Sequence, residues 1–166
     1  MEPIDLVKTV YFIIPAYLAN STPVIFGGKG TPVDLGKKFI DNERIFGKNK
    51  TIRGLMSGIL FGSIAGLIIE LILLEDGFTK IGFLISLGAM IGDLAGSFIK
   101  RRFKIPPGHS FLPIDQLDFI FGALIFALPL YRLSLEAIIL IILITFPTHI
   151  LANLLANTLK LKPTFL

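Results

Sequence analysis

Apolar residues fall in five long runs separated by short polar segments: roughly Leu6 to Phe26, Ile52 to Leu74, Ile81 to Ile99, Leu117 to Tyr131 and Leu135 to Leu159. About 20 apolar residues, at ~1.5 Å rise each, cross ~30 Å of hydrocarbon. The pattern therefore predicts an all-α, polytopic membrane protein with five transmembrane helices in one domain spanning residues 1–166. The fourth run is short, and Pro129 near its end predicts a tilt, a kink or cover from neighbouring helices. Glu2 and Asp5 make the leading end acidic, and four more runs follow, so the first is expected to be a retained helix rather than a secretory signal.

Composition agrees with this pattern. Hydrophobic residues make up 53% of the chain and charged ones 17%, with a mean hydropathy of +0.78, which is too apolar for a soluble domain of this size. Cysteine is absent from the sequence, which excludes a disulfide framework, a thiolate metal site and a cysteine nucleophile. Of the 16 Lys and Arg residues, all but Lys8, Lys80 and Arg132 fall between the first and second runs, after the third, or in the tail. That asymmetry puts the loops at about 27–51 and 100–116 and the C-terminus in the cytoplasm, with the N-terminus outside. The outer turns, Glu75 to Lys80 and Tyr131 to Ser134, are very short, so runs two and three form one tight hairpin and runs four and five another.

Glycines recur every four residues at Gly54, Gly58, Gly62 and Gly66, and again at Gly88, Gly92 and Gly96. Small residues at that spacing let helix backbones approach closely in lipid, so the second and third helices are expected to touch, with Asp93 beside the seam.

Asp93 is the chemically telling position. A carboxylate in a bilayer core costs at least ~2.5 kcal/mol, so it calls for a partner and marks a functional site. Asp93, Ser97, Lys100 and Lys104 follow at steps of four, three and four, sharing one helix face that climbs toward the cytoplasm. Asp115 and Asp118 open the fourth helix. Either the acidic residues cap that helix and pair for packing, or they return toward Asp93, where three carboxylates require a cation between them. Hard oxygen ligands of this kind suit Mg2+, with phosphate oxygens and waters completing the shell. The first loop interleaves glycines with Lys29, Lys37, Lys38, Lys48, Lys50, Thr51 and Arg53, a mixture that suits phosphates as well as anionic lipid, although it forms no P-loop. Thr145, His149, Asn153 and Asn157 fall at steps of four in the fifth helix, and Asn20, Ser21 and Thr22 end the first. These polar positions either staple helices or line a polar cavity open to the cytoplasm. Neither histidine has a second histidine or cysteine at zinc-ligand spacing.

Taken together, several segments resemble the archaeal CDP-archaeol synthases, relatives of the phosphatidate cytidylyltransferases. They are Pro32-Val33-Asp34-Leu35-Gly36-Lys37, Arg44-Ile45-Phe46-Gly47 running into Lys50-Thr51-Ile52-Arg53-Gly54, Gly92-Asp93-Leu94 with Ser97 to Arg101, Pro107-Gly108-His109, Asp115-Gln116-Leu117-Asp118, and His149 with Asn153. The resemblance implies transfer of CMP from CTP to a phosphorylated glycerol diether carrying two geranylgeranyl chains (unsaturated archaetidic acid), giving CDP-archaeol and pyrophosphate in membrane ether-phospholipid synthesis. In that reading Asp93, Asp115 and Asp118 hold Mg2+, while Lys100 and His109 stabilise charge on the departing pyrophosphate. Asp34, Lys37, Lys50, Thr51, Arg53, Ser97, Arg101 and Lys104 contact the nucleotide and its phosphates. Asn20, Thr22, His149 and Asn153 line the cavity. The expected partners are CTP, the diether lipid phosphate and membrane lipids, not nucleic acid. Rival readings are a cytidylyltransferase acting on ester lipids, a CTP-dependent polyprenol kinase, and, outside enzymes, a small ion transporter.

Overall fold

The computed structural model describes residues 6–74, 76–107, 109, 111 and 114–158. Among them are five α-helices: α1 (Leu6–Phe26), α2 (Ile52–Leu73), α3 (Phe78–Arg102), α4 (Ile114–Ala127) and α5 (Leu135–Thr158). Three, α1, α2 and α3, are long and apolar enough to cross a membrane. α4 has only 14 residues and stops at Ala127, two residues before Pro129, shorter than its apolar run in the sequence. Proline lacks an N–H and restricts the residue before it, so the helix ends there.

α3 is the central element, with α2 on one side, α4 on another and α1 across both α2 and α3. Phe12, Ala16 and Ala19 of α1 meet Ile85, Ala89 and Met90 of α3, together with Phe119, Ile120, Ala123 and Leu124 of α4 and Ile141 of α5. Leu18, Met56, Leu60, Leu71, Ile125 and Leu143 point outward. Apolar residues thus lie both inside the bundle and on its surface, which suits a lipid surround.

The expected contact between the second and third helices is present. It is the α2 glycines that make it: a Cβ on Gly66 would lie 2.8 Å from the Gly82 Cα, and one on Gly62 2.8 Å from both Ser86 Cβ and the Pro15 carbonyl oxygen. The glycines of α3 face elsewhere. Gly88 and Gly92 abut Gly122 and the Asp118 backbone of α4, whereas α3 offers α2 a separate stripe of Gly82, Ser86 and Met90.

At the hairpin between α2 and α3, Leu74 and Gly77 take left-handed conformations, and the Glu70 carboxylate accepts the Thr79 N–H at 2.6 Å, satisfying one free donor at the start of α3. At the other end, Thr51 caps α2, its Oγ1 accepting from the Gly54 N–H at 3.1 Å and donating to the Gly27 carbonyl at 3.2 Å. The first loop closes on itself above that cap through Val33 N–H to Lys50 O and Ile52 N–H to Thr31 O, both 2.8 Å.

Candidate active site

The first loop is organised by one buried carboxylate. Asp34, with no exposed side-chain surface, accepts N–H donors from Gly36 (3.0 Å), Phe46 (3.1 Å) and Gly47 (2.9 Å) and pairs with the Arg44 guanidinium. Burial alone pushes its pKa up, but the Arg44 guanidinium and the three backbone donors outweigh that and hold it down at about 2. Asp34 was expected to contact the nucleotide. Its lone pairs are instead committed to folding residues 34–47 into a fixed loop. Arg102 ties this loop to the end of α3: its guanidinium donates to the Arg44 carbonyl at 2.7 Å, lies 3.0 Å from Asp41, and stacks over the rings of Phe39 and Phe98.

Closure of the loop hangs Lys50 over α3. Its ammonium donates to both oxygens of Asp93 at 2.6 Å each, an ion pair between residues 43 positions apart. The carboxylates of Asp118 and Asp115 also act electrostatically on Lys50. Asp93 thus has a partner on another element, as an intramembrane carboxylate requires.

The α3–α4 seam delivers Asp118 to the same level. Gly92, the residue before Asp93, lies against the Asp118 backbone, and a Cβ on Gly96 would sit 2.8 Å from Asp118 Cγ, in the space its carboxylate fills. Asp118 Oδ1 accepts the neighbouring Phe119 N–H at 2.6 Å. The Asp118 carboxylate thus packs directly on α3 at Gly96, three residues from Asp93.

Asp115 is engaged differently. Its Oδ2 accepts the Lys100 ammonium at 2.8 Å and the Phe111 N–H at 2.9 Å, so it both ties the chain leading into α4 to that helix and anchors Lys100. Lys100 also donates to the His109 carbonyl at 3.0 Å, while the His109 side chain is exposed. Among the described residues no three acidic or histidine side chains are grouped to hold a metal. The three aspartates do not form a ready-made cage, because Lys50 occupies one of them and Lys100 another.

Arg101 is 5% exposed, with its Nε unpartnered and packed near Gly47 at the base of the first loop. Among the described residues it has no carboxylate within salt-bridge distance. Ser97 is buried one turn below it. Lys37, Arg53 and Lys104 are exposed on the same side, and Thr51 serves as the α2 cap. Asn20 is half-buried and Thr22 buried with its Oγ1 unpartnered; Thr145 donates to its own helix at Ile141. The side chains of His149 and Asn153 lie outside the described residues. One polar group went unnoticed in the sequence: Gln116, 1% exposed with Oε1 unpartnered, whose place between Asp115 and Asp118 was the available signal.

A family model described as CarS-like, CDP-archaeol synthase, matches residues 3–165. The chain belongs to that family. It is 43% identical over 167 residues to the CDP-archaeol synthase of Pyrococcus furiosus, covering 98% of each chain. It is 42% identical over 169 residues to that of Methanocaldococcus jannaschii, covering 95% of each. A solved structure of an intramembrane enzyme for archaeal membrane lipids biosynthesis superposes with a TM-score of 0.84 at 36% identity, over 90% of this chain and 95% of that one. Membership makes this chain an enzyme, a membrane-embedded cytidylyltransferase that uses CTP.

Proposed function

We propose that this enzyme transfers CMP from CTP to digeranylgeranylglyceryl phosphate, giving CDP-archaeol and pyrophosphate, at the cytoplasmic ends of five membrane-spanning helices with the N-terminus outside. A lipid phosphate oxygen attacks the α-phosphorus of CTP, a new P–O bond forms, and the bond from that phosphorus to the bridging oxygen of the pyrophosphate breaks. The attacking oxygen is already anionic, so the chain need only position the reactants and neutralise charge.

The observation that carries this reading is the Asp118 carboxylate seated against Gly96 of α3, three residues from Asp93, with Lys50 on Asp93 and Lys100 on Asp115. The donor set fits Mg2+, which is commonly held by one or two carboxylates together with substrate phosphates. Lys50, seated on Asp93, stands where a positive charge is wanted. Asp93 and Asp118 would hold the ion, and Asp115 would keep Lys100 aimed at the phosphates. When bound, the ion supplies charge neutralisation to the polyphosphate. Arg101 binds a phosphate from its buried position, and Lys37, Arg53 and Lys104 draw the nucleotide in. The lipid tails stay in the bilayer beside the helices while the head enters from the side.

Incubating purified protein with radiolabelled CTP, Mg2+ and either the ether or the ester lipid phosphate tests this. A labelled CDP-lipid from the ether substrate together with pyrophosphate is expected. CDP plus a newly phosphorylated lipid would indicate a kinase, and preference for the ester substrate the other cytidylyltransferase.

A further inference from the structure

The proposed cation position already holds a cation that belongs to the chain. Lys50 Nζ lies 2.6 Å from both Asp93 oxygens, with the charges of Asp118 and Asp115 also acting on it. Its backbone is pinned at the loop neck by the 2.8 Å bond from the Val33 N–H and by the adjacent Thr51 cap, so the mobile part is the four-carbon stem alone. A divalent ion and an ammonium cannot share the same two carboxylate oxygens without strong repulsion. One must leave.

Resting on the function proposed above, we infer that Lys50 is an exchangeable counter-cation. In the nucleotide-free enzyme its ammonium holds the divalent ion's place at Asp93, and on loading it swings to the incoming triphosphate, so ion and nucleotide enter as one coupled event. Without nucleotide, an arriving ion must strip Lys50 from Asp93 and leave it unpaired. With nucleotide, the ammonium moves from one set of anionic oxygens to another. The exchange also keeps Asp93 paired between turnovers and disfavours an ion bound without substrate. Lys50 acts here as a positioning residue whose effect on the ion is opposite in sign to its effect on the nucleotide.

The test measures Mn2+ binding by electron paramagnetic resonance, and CTP binding calorimetrically without metal, on the full chain in detergent with no lipid substrate. Lys50→Gln is expected to bind Mn2+ in the absence of nucleotide at least about tenfold more tightly than wild type, while binding CTP more weakly. A merely structural lysine would weaken both. Lys50→Arg keeps a permanent, forked charge on the carboxylates and is expected to bind Mn2+ no more tightly than wild type, so it serves should the glutamine variant fail to fold. Tighter Mn2+ binding by the arginine variant overturns the exchange. Mn2+ binding that Asp93→Asn and Asp118→Asn abolish but Lys50→Gln leaves unchanged or weakens overturns the exchange alone. Mn2+ binding that survives both aspartate variants overturns the metal reading, and the exchange with it.

Discussion

The two sides of α3 use close helix approach for different ends. Toward α2, Gly62 and Gly66 meet Ser86, Gly82 and the Pro15 carbonyl, and the contact is packing between small groups. Toward α4, the same four-residue spacing at Gly88, Gly92 and Gly96 first brings backbones together and then, at Gly96, leaves room for the Asp118 carboxylate. A small-residue stripe thus marks close approach without saying whether the space is filled by another backbone or by a reactive side chain.

The largest effect is expected from removing the charges that the second seam gathers. Asp93→Asn and Asp118→Asn should each lower CTP-dependent CDP-lipid formation at least ~100-fold while the protein elutes as a folded species, because preorganised charge carries the reaction. Near-normal turnover in either variant removes the basis for the active site.

Next come the glycines themselves, which separate the two seams directly. Gly96→Ala places a methyl against the Asp118 carboxylate and 2.9 Å from its Cβ, so besides a loss of stability like that of Gly62→Ala, turnover per folded molecule should fall about tenfold or more, since misplacement of a reacting group by even ~1 Å is costly. Gly62→Ala meets backbone and a buried serine and should destabilise the protein by about 1–3 kcal/mol, leaving turnover per folded molecule within roughly threefold of wild type. Thermal unfolding and labelled-product assays on the same preparations check both. Equal activity losses would erase the distinction between the seams.

The smallest effect concerns the loop above them. Asp34 has its pKa lowered from 3.8 to about 2, so its contribution is present above pH ~4 and is lost as pH falls toward 2. A shift of that size corresponds to about 2 kcal/mol. Wild-type stability should therefore fall more than that of Asp34→Asn between pH 4 and pH ~2, with the curves parallel at higher pH, as followed by denaturation in detergent. Parallel curves throughout would show that Asp34 does not hold the loop.

The helices were legible because each apolar run is long and bounded by charge, and the basic loops identified the face where the polar chemistry collects. The α2–α3 contact was legible from Gly58, Gly62 and Gly66. What the α3 glycines face was not, since spacing names a helix face but not its neighbour. Nor could sequence pair Lys50 with Asp93 across 43 positions, because that contact depends on how the loop closes through Val33 and Thr31. Asp34 misled for a related reason: an aspartate among glycines and lysines reads as a ligand contact until its donors, most of them ten to thirteen residues away, are known. Gln116 stayed hidden behind the two aspartates that flank it.

On the five-span reading, α4 carries a last consequence. Fourteen residues rise about 21 Å, roughly 9 Å less than a typical hydrocarbon layer, and the surrounding bilayer must dip to meet it. The membrane beside Asp118 is then a dimple, and a phosphate head drifting into it descends toward the reacting groups with its solvation largely kept. Thickness of the host membrane becomes a determinant of rate, and reconstitution in progressively longer-chain lipids should slow the enzyme before it unfolds it.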